Sequence, residues 1–352
     1  MSQKIIISKD IQQDITAILA EMAYDHLFIL TDENTQKLCQ PLLAGIHVLE
    51  KAQYITIKAD DTNKTLEAIA GVWTYLSQNH ASRKSMMINL GGGMVTDLGG
   101  FAASTFKRGI KYINIPTTLL GAVDAAVGGK TGINFNGLKN EIGVFSPADA
   151  VIINSNFFRT LDRQNLLSGY AEMLKHGLIS SEQEWKNLLK FDIDNIDYDY
   201  LTQLVGESVS IKERVVTEDP FEKGIRKALN LGHTVGHAFE SLSFEENRPV
   251  QHGYAVAWGL VCELYLSKKQ TNFPAEKLSQ TVAFIRKNYG TFAFSCKQYD
   301  RLYELMTHDK KNEDGIINFT LLGEVGDIRI NQQATKEEIF EALDFYCECF
   351  GL

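Results

Sequence analysis

Within the first 155 residues, short apolar runs alternate with a helical pattern, and this constrains the fold more than any other feature. The runs are Leu27–Leu30, Tyr54–Ile57, Met86–Leu90, Tyr112–Ile115 and Ala150–Ile153. Their length and apolar character read as strands. Between the second and third, Leu66, Ile69, Ala70, Trp73 and Leu76 recur at i, i+3, i+4, i+7 and i+10, the apolar stripe of an amphipathic helix. Strand–helix–strand alternation predicts a mostly parallel sheet with helices on its faces.

After about residue 160 the strand signals thin out. Helical patterns cover 163–179, 182–190, 199–216, 226–242, 252–270 and 276–288. One hairpin is expected late, Ile316–Leu322 and Asp327–Ile330 around Gly323–Gly326, and Thr335 with Glu338 predicts a capping box at the last helix. No internal repeat or low-complexity tract is visible. A length of 352 residues suits two domains. We assign an α/β domain to residues 1–160 and a mainly α-helical domain to residues 161–352.

Composition narrows the function class. Hydrophobic residues at 44% and charged residues at 22% exclude a collagen, a coiled-coil rod or a largely disordered chain. No apolar run approaches the roughly 18–20 residues of a membrane helix. Ile5-Ile6-Ile7, between Lys4 and Asp10, reads as a strand and not as a signal peptide. The five cysteines are odd in number, scattered and without a CxxC, which predicts a reduced, cytoplasmic chain. A net charge of −9 opposes nucleic acid and anionic membranes as partners.

Three segments carry chemistry. The first is Gly91-Gly92-Gly93-Met94-Val95-Thr96-Asp97, where a strand ends at Leu90 and a helix starts by Thr96. Glycines let a backbone approach a ligand, and a helix N-terminus offers N–H groups to phosphate. Thr96 breaks the standard GxGxxG fingerprint, and a tight strand–helix turn would use the same residues. The second is Pro116-Thr117-Thr118-Leu119-Leu120, then Val123-Asp124 through Gly128-Gly129-Lys130-Thr131-Gly132-Ile133-Asn134, then Leu138-Lys139-Asn140. One carboxylate, two lysines and amides among small residues suit a phosphate or carboxylate ligand; a buried glycine-rich turn with surface lysines is the structural alternative. The third is the histidine set. His233 and His237 stand at i, i+4 and share a helix face, with His252 fifteen residues beyond His237 and Glu172 as a carboxylate candidate. Three N/O ligands with an open position is the usual catalytic zinc arrangement. Spacing alone nominates His233 with His237 and leaves His252, His176 and the carboxylate open; a packing or capping pair would also fit. His26, His47 and His80 have no such company.

Together these segments resemble the 3-dehydroquinate synthase family of sugar-phosphate cyclases. The matching stretches are 91–101, 106–109, 116–134, 138–140, 169–179, 211–240, 252–259 and 309–312. They run in the family's order from the first third nearly to the C-terminus.

The resemblance implies an N-terminal Rossmann-like NAD-binding domain and a helical C-terminal domain for metal and substrate. It implies a zinc or cobalt ion held by Glu172, His233 and His252, which makes His237 a substrate contact. It places NAD contacts on Asp32, Asn34, Asp61, Lys64, Gly91, Gly92, Gly93, Asp97, Thr117, Thr118, Lys139, Thr160 and Leu161. The substrate pocket falls on Asp124, Lys130, Asn140, Lys175, Lys212, Arg226, Asn230, His237 and Lys310, the last chosen over Lys311. Arg108 would reach the substrate phosphate of a neighbouring subunit in a homodimer. The implied substrate is a seven-carbon keto-acid phosphate, 3-deoxy-D-arabino-heptulosonate 7-phosphate. The implied course is oxidation by NAD, phosphate elimination, re-reduction and aldol closure to 3-dehydroquinate. Lys130, Lys175, Lys212, Arg226 and Lys310 then gather cations in a chain of net charge −9.

This sequence departs from the family in four places. Ala125 and Ala126 stand for two serines, Leu138 for a glycine, and Tyr254 for an acid after His252-Gly253. If that acid orients the metal-bound histidine, another group must do so here. The competing readings are a sister cyclase, a metal-dependent alcohol or glycerol dehydrogenase, and an inactive scaffold. The lysine-bearing VGGKTGIN segment, Asn230 and His237 favour the dehydroquinate branch.

Overall fold

The computed structural model of the chain describes residues 3–136, 138–307 and 316–352. They form two compact units, Met1–Leu166 with Asp197–Val209, and Leu167–Ile196 with Ser210–Leu352.

The chain begins with β1 (Lys4–Ser8), α1 (Ile11–Ala20), β2 (Leu27–Asp32), α2 (Glu33–Leu38), β3 (Gln53–Ile57) and α3 (Leu66–Gln78). There follow β4 (Met86–Gly91), α4 (Gly93–Thr105), β5 (Lys111–Pro116), β6 (Lys130–Phe135), β7 (Leu138–Phe145) and β8 (Ala150–Asn154). Six strands make a parallel sheet in the order β1-β8-β5-β4-β2-β3. They are the expected apolar runs together with the Ile5–Ile7 strand. Every residue of β2 and β4 is buried, as a sheet covered on both faces requires. Ile29, Ile88, Ile113 and Ile152 of four neighbouring strands share one core with Ile15, Ile18 and Leu19 of α1.

The sheet order reverses at β2. The chain steps outward to β3 and then returns to place β4 on the other side of β2. In open α/β sheets such a switch point opens a crevice at the carboxyl ends of the strands. Asp32 ends β2 and Gly91 ends β4, so topology alone nominates two of the expected nucleotide contacts. Helix α4 begins at Gly93, inside the glycine run.

One hairpin escaped the apolar-run argument. β6 and β7 pair antiparallel, Lys130 with Phe145 through Phe135 with Leu138. β7 is exposed along its length, including Leu138, Ile142, Val144 and Phe145, so no burial forces an apolar alternation on it. The usable signal is the Asn136-Gly137 dipeptide, since this pair favours the positive φ of hairpin turns. Asn136 has φ 50°.

Further along lie α5 (Arg163–Ser180), α6 (Glu182–Lys190), α7 (Tyr198–Glu218), α8 (His233–Glu245), α9 (His252–Thr271), α10 (Ala275–Tyr289) and α11 (Tyr299–Thr307). The late hairpin is β9 (Phe319–Glu324) with β10 (Asp327–Gln332), and α12 (Lys336–Phe350) closes the chain. The expected capping box is present: Thr335 Oγ1 accepts from Glu338 N at 3.2 Å, and Glu338 Oε2 accepts from Thr335 N at 2.9 Å. The pattern at 226–242 requires correction. It is not one helix but a 3-10 turn over Ile225–Asn230 followed by α8, separated at Gly232 with φ 79°. A left-handed residue cannot continue an α-helix, and glycine adopts it without a Cβ clash. Among the sequence-derived elements, α1, α2 and α11 had no counterpart. All five cysteines are free. No helix among the described residues is long and apolar enough to cross a membrane.

Candidate metal centre and nucleotide cradle

The second unit gathers the metal candidates. Glu172 and Lys175 lie one turn apart on α5, 0% and 1% exposed. The Lys175 ammonium pairs with Glu172 Oε2. The other oxygen, Oε1, accepts no hydrogen bond from the described residues. It lies 3.3 Å from His233 Nε2 and 3.5 Å from His252 Nε2. His233 is the first residue of α8 and His252 the first of α9, so two helix starts bring the rings together.

Both rings are pinned on their far side. His233 Nδ1 lies 3.1 Å from the Leu231 carbonyl oxygen, which can only accept. Nδ1 therefore carries a proton, which leaves Nε2 as the ring nitrogen directed at Glu172. His252 Nδ1 lies 3.2 Å from Glu240 Oε2. Tyr254, where the resemblance expects an acid, is spent on packing, with its ring 5.8 Å from Trp258 and 5.1 Å from Tyr289. Glu240 occupies the orienting position instead, from α8.

Charge follows geometry. Burial alone would push the Glu172 carboxyl up, but the Lys175 ammonium and the neighbouring imidazoles hold it well below the usual carboxylate range. Burial would lower the His252 imidazole, yet the Glu172 and Glu240 carboxylates beside it raise it to about 10. A buried carboxylate oxygen facing two imidazole nitrogens at 3.3 and 3.5 Å fits a divalent cation of the zinc class. His237 stays close, its ring 5.4 Å from that of His233 and 5.8 Å from that of His252. One ligand atom from each of the three histidines lies within 4.8 Å of the others. The spacing argument and the resemblance thus nominate overlapping sets that meet in one place.

The expected anion contacts of this unit are also largely buried. Lys212 on α7 and Arg226 on the 3-10 turn are 6% and 3% exposed. The Arg226 guanidinium donates to the Pro220 carbonyl at 2.7 Å, and its backbone N–H donates to Asp219 Oδ2 at 3.1 Å. Asn230 Nδ2 donates to Glu222 Oε1 at 3.1 Å. Lys310 and Lys311 lie outside the described residues.

The first unit builds a cradle around the glycine run. Thr117 N donates to the Gly91 carbonyl at 2.9 Å, and Thr118 Oγ1 accepts from Gly121 N at 3.0 Å. A Cβ on Gly92 would sit 3.0 Å from Thr118 Cγ2, so the glycine permits this close approach. No side chain caps α4 at Gly92, the arrangement in which helix N–H groups can serve an anion. Lys64, 3% exposed, donates to Asp97 Oδ2 at 2.9 Å, lies 3.7 Å from Asp61 Oδ1 and contacts Asn140 Oδ1. Burial raises the Asp97 carboxyl, with Lys64 opposing. Asn134 ties the group together: Nδ2 donates to the Asp61 carbonyl at 2.8 Å, and Oδ1 accepts from Asn140 N at 2.9 Å. Asn140, a substrate candidate, therefore joins the same network as three nucleotide candidates.

Other expected contacts are more dispersed. Asp32 Oδ1 caps α2, accepting from Asn34 N and Thr35 N, both at 2.8 Å. Thr160 donates to the Phe157 carbonyl at 2.7 Å and lies 3.7 Å from Cys39 Sγ; Leu161 ends the same turn. Asp124 sits on a single π-helical turn, Gly121–Ala125. Lys130 opens β6 and Lys139 lies on β7, both exposed, and Arg108 is exposed at φ 71°. Glu240, Glu263, Asp219 and Glu222 were missed by sequence reasoning. Glu240 could have been found, because it lies seven residues after His233 and returns to the same face of α8.

Residues 54–168 match the model of the 3-dehydroquinate synthase N-terminal domain, and residues 169–312 match that of the C-terminal domain. The chain belongs to the 3-dehydroquinate synthase family. It is 60% identical over 350 residues to the 3-dehydroquinate synthase of Parabacteroides distasonis, covering 99% of each chain. It is 36% identical over 335 residues to that of Clostridium tetani, covering 90% of this chain and 85% of the relative. Among solved structures, 2-epi-5-epi-valiolone synthase of Streptomyces hygroscopicus, with NAD+ and Zn2+ bound, shares the fold. Its TM-score is 0.87 at 23% identity, covering 99% of this chain and 97% of that one.

Proposed function

We propose that the chain converts 3-deoxy-D-arabino-heptulosonate 7-phosphate to 3-dehydroquinate and phosphate. It does so as a carbon–oxygen lyase dependent on NAD and on zinc or cobalt. Residues 1–160 serve NAD and residues 161–352 serve the metal and substrate. The observation that carries this reading is Glu172, with one oxygen on Lys175 and the other facing His233 and His252.

Glu172, His233 and His252 hold the metal. When bound, the metal favours loss of the proton from a substrate hydroxyl, and NAD takes up a hydride and returns it. The chain's own work is binding and orientation. Asp61, Lys64, Asp97 and the Gly91–Gly93 turn hold the nucleotide, with Asp32, Asn34, Thr117, Thr118, Lys139, Thr160 and Leu161 around it. Lys175, Lys212 and Arg226 neutralise the substrate's carboxylate and phosphate, with Lys130 and Lys310 adding charge. Asp124, Asn140, Asn230 and His237 contact hydroxyls, and His237 is suited to move a proton there. Holding the leaving phosphate beside the C–H to be broken makes positioning the main contribution. The protein acts as a cytoplasmic homodimer, with Arg108 of one protomer serving the substrate phosphate of its partner.

The direct test is phosphate release from the seven-carbon substrate by metal-free protein supplied with NAD and zinc. Release should require both additions. Release at the same rate without zinc would overturn the role of the metal centre, and no release at all would overturn the reaction.

A further inference from the structure

Helix α8 starts without a cap of its own. Its N-cap is Gly232, held at φ 79° with no side chain to offer. The capping oxygens come from another helix. Glu263 of α9, fully buried, accepts from Gly232 N through Oε2 at 2.6 Å and from Val235 N through Oε1 at 3.1 Å. Val235 is the third residue of α8, the position whose N–H a serine or aspartate N-cap would normally bind.

The contact to Gly232 reaches further than a cap. The Gly232 N–H and the Leu231 carbonyl belong to one rigid peptide plane. The N–H points to Glu263, and the carbonyl oxygen on the opposite edge lies 3.1 Å from His233 Nδ1. A chain of contacts thus runs from the Glu263 carboxylate through that peptide to the His233 ring, whose Nε2 faces Glu172 at 3.3 Å. We propose that Glu263 is a positioning residue for the metal ligand His233, acting through the Leu231–Gly232 peptide. It fixes the plane of the carbonyl that selects the Nδ1–H tautomer and aims Nε2. The carboxylate also polarises the peptide, which strengthens the carbonyl as an acceptor. This is an outer-shell function carried by a backbone unit instead of a direct side-chain contact. It rests on the reading of His233 as a metal ligand.

Glu263→Gln keeps the shape but turns an amide N–H₂ toward one of the two backbone donors. Zinc dissociation constants, measured by chelator competition on purified full-length protein, should rise about ten- to a hundredfold. Ile285→Ala, in α10 of the same unit, should lower Tm and leave zinc affinity within about twofold. An unchanged zinc constant in Glu263→Gln overturns the proposal, as does an equal loss in Ile285→Ala. If wild-type protein binds no zinc, the metal reading itself fails, which is a separate result. Should Glu263→Gln not fold, ¹⁵N-histidine NMR of the zinc-loaded wild type decides. His233, assigned with His233→Ala, should show a protonated Nδ1 and a metal-bound Nε2. Metal on Nδ1 would overturn the proposal.

Discussion

His233→Ala should lose its zinc, while His237→Ala should keep one zinc per chain and lose rate. The physical ground is Glu172 Oε1, buried with no hydrogen-bond partner among the described residues and set 3.3 Å from His233 Nε2 and 3.5 Å from His252 Nε2. Removing His233 takes away a nitrogen whose tautomer is already fixed by the Leu231 carbonyl. His237 stands beside this set, and the proposed role of moving a substrate proton predicts a loss of roughly 10²- to 10⁴-fold in rate. Metal analysis of both purified variants separates the two roles. Zinc lost from both variants would instead favour His233 and His237 as a ligand pair, as their i, i+4 spacing suggests, and zinc lost from His237→Ala alone would refute the assignment.

Arg226→Lys should lower kcat/KM about ten- to a hundredfold. The buried guanidinium is steadied by the Pro220 carbonyl at 2.7 Å. A guanidinium can grip a carboxylate or phosphate through two parallel hydrogen bonds, and an ammonium cannot reproduce that fork. Losing one charge-assisted hydrogen bond costs about 1.5–3 kcal/mol, which gives the stated range in kcat/KM. The deficit should persist at saturating NAD, since Arg226 is assigned to the substrate. Steady-state kinetics with varied substrate and NAD decide it. Recovery at high NAD, or no deficit, would remove Arg226 from the substrate pocket.

The parts of this molecule that were legible in the sequence are those where burial dictates residue type. β2 and β4 are buried on both faces, so their apolar runs announce them. α3 shows part of its stripe, with Ile69 and Leu76 buried, while Leu66 and Ala70 of the expected stripe are exposed. β6 and β7 did not announce themselves, because exposed β7 is under no such constraint and only the Asn136-Gly137 dipeptide in the sequence marks the hairpin. The Gly232 break was hidden for a different reason. A single glycine is tolerated within a helical pattern, and what enforces the left-handed turn here is a partner thirty-one residues away in sequence, Glu263. In the site, the family resemblance nominated Glu172, His233 and His252, and the fold brings the three together. Of their supports, Glu240 recurs seven residues after His233 on the same face of α8, while Glu263 answers to a contact between α8 and α9 that residue spacing does not encode. The Tyr254 departure raised the need for another orienting group, and the fold answers it with Glu240.

The claim most open to direct test is that the hydride taken by NAD is returned within each turnover. Phosphate release and absorbance at 340 nm should be followed together, with the zinc-loaded protein, excess seven-carbon substrate and excess NAD. Many equivalents of phosphate per protein chain are expected, with no rise in NADH beyond about one equivalent of enzyme. NADH accumulating in step with turnover would contradict that claim and identify a dehydrogenase.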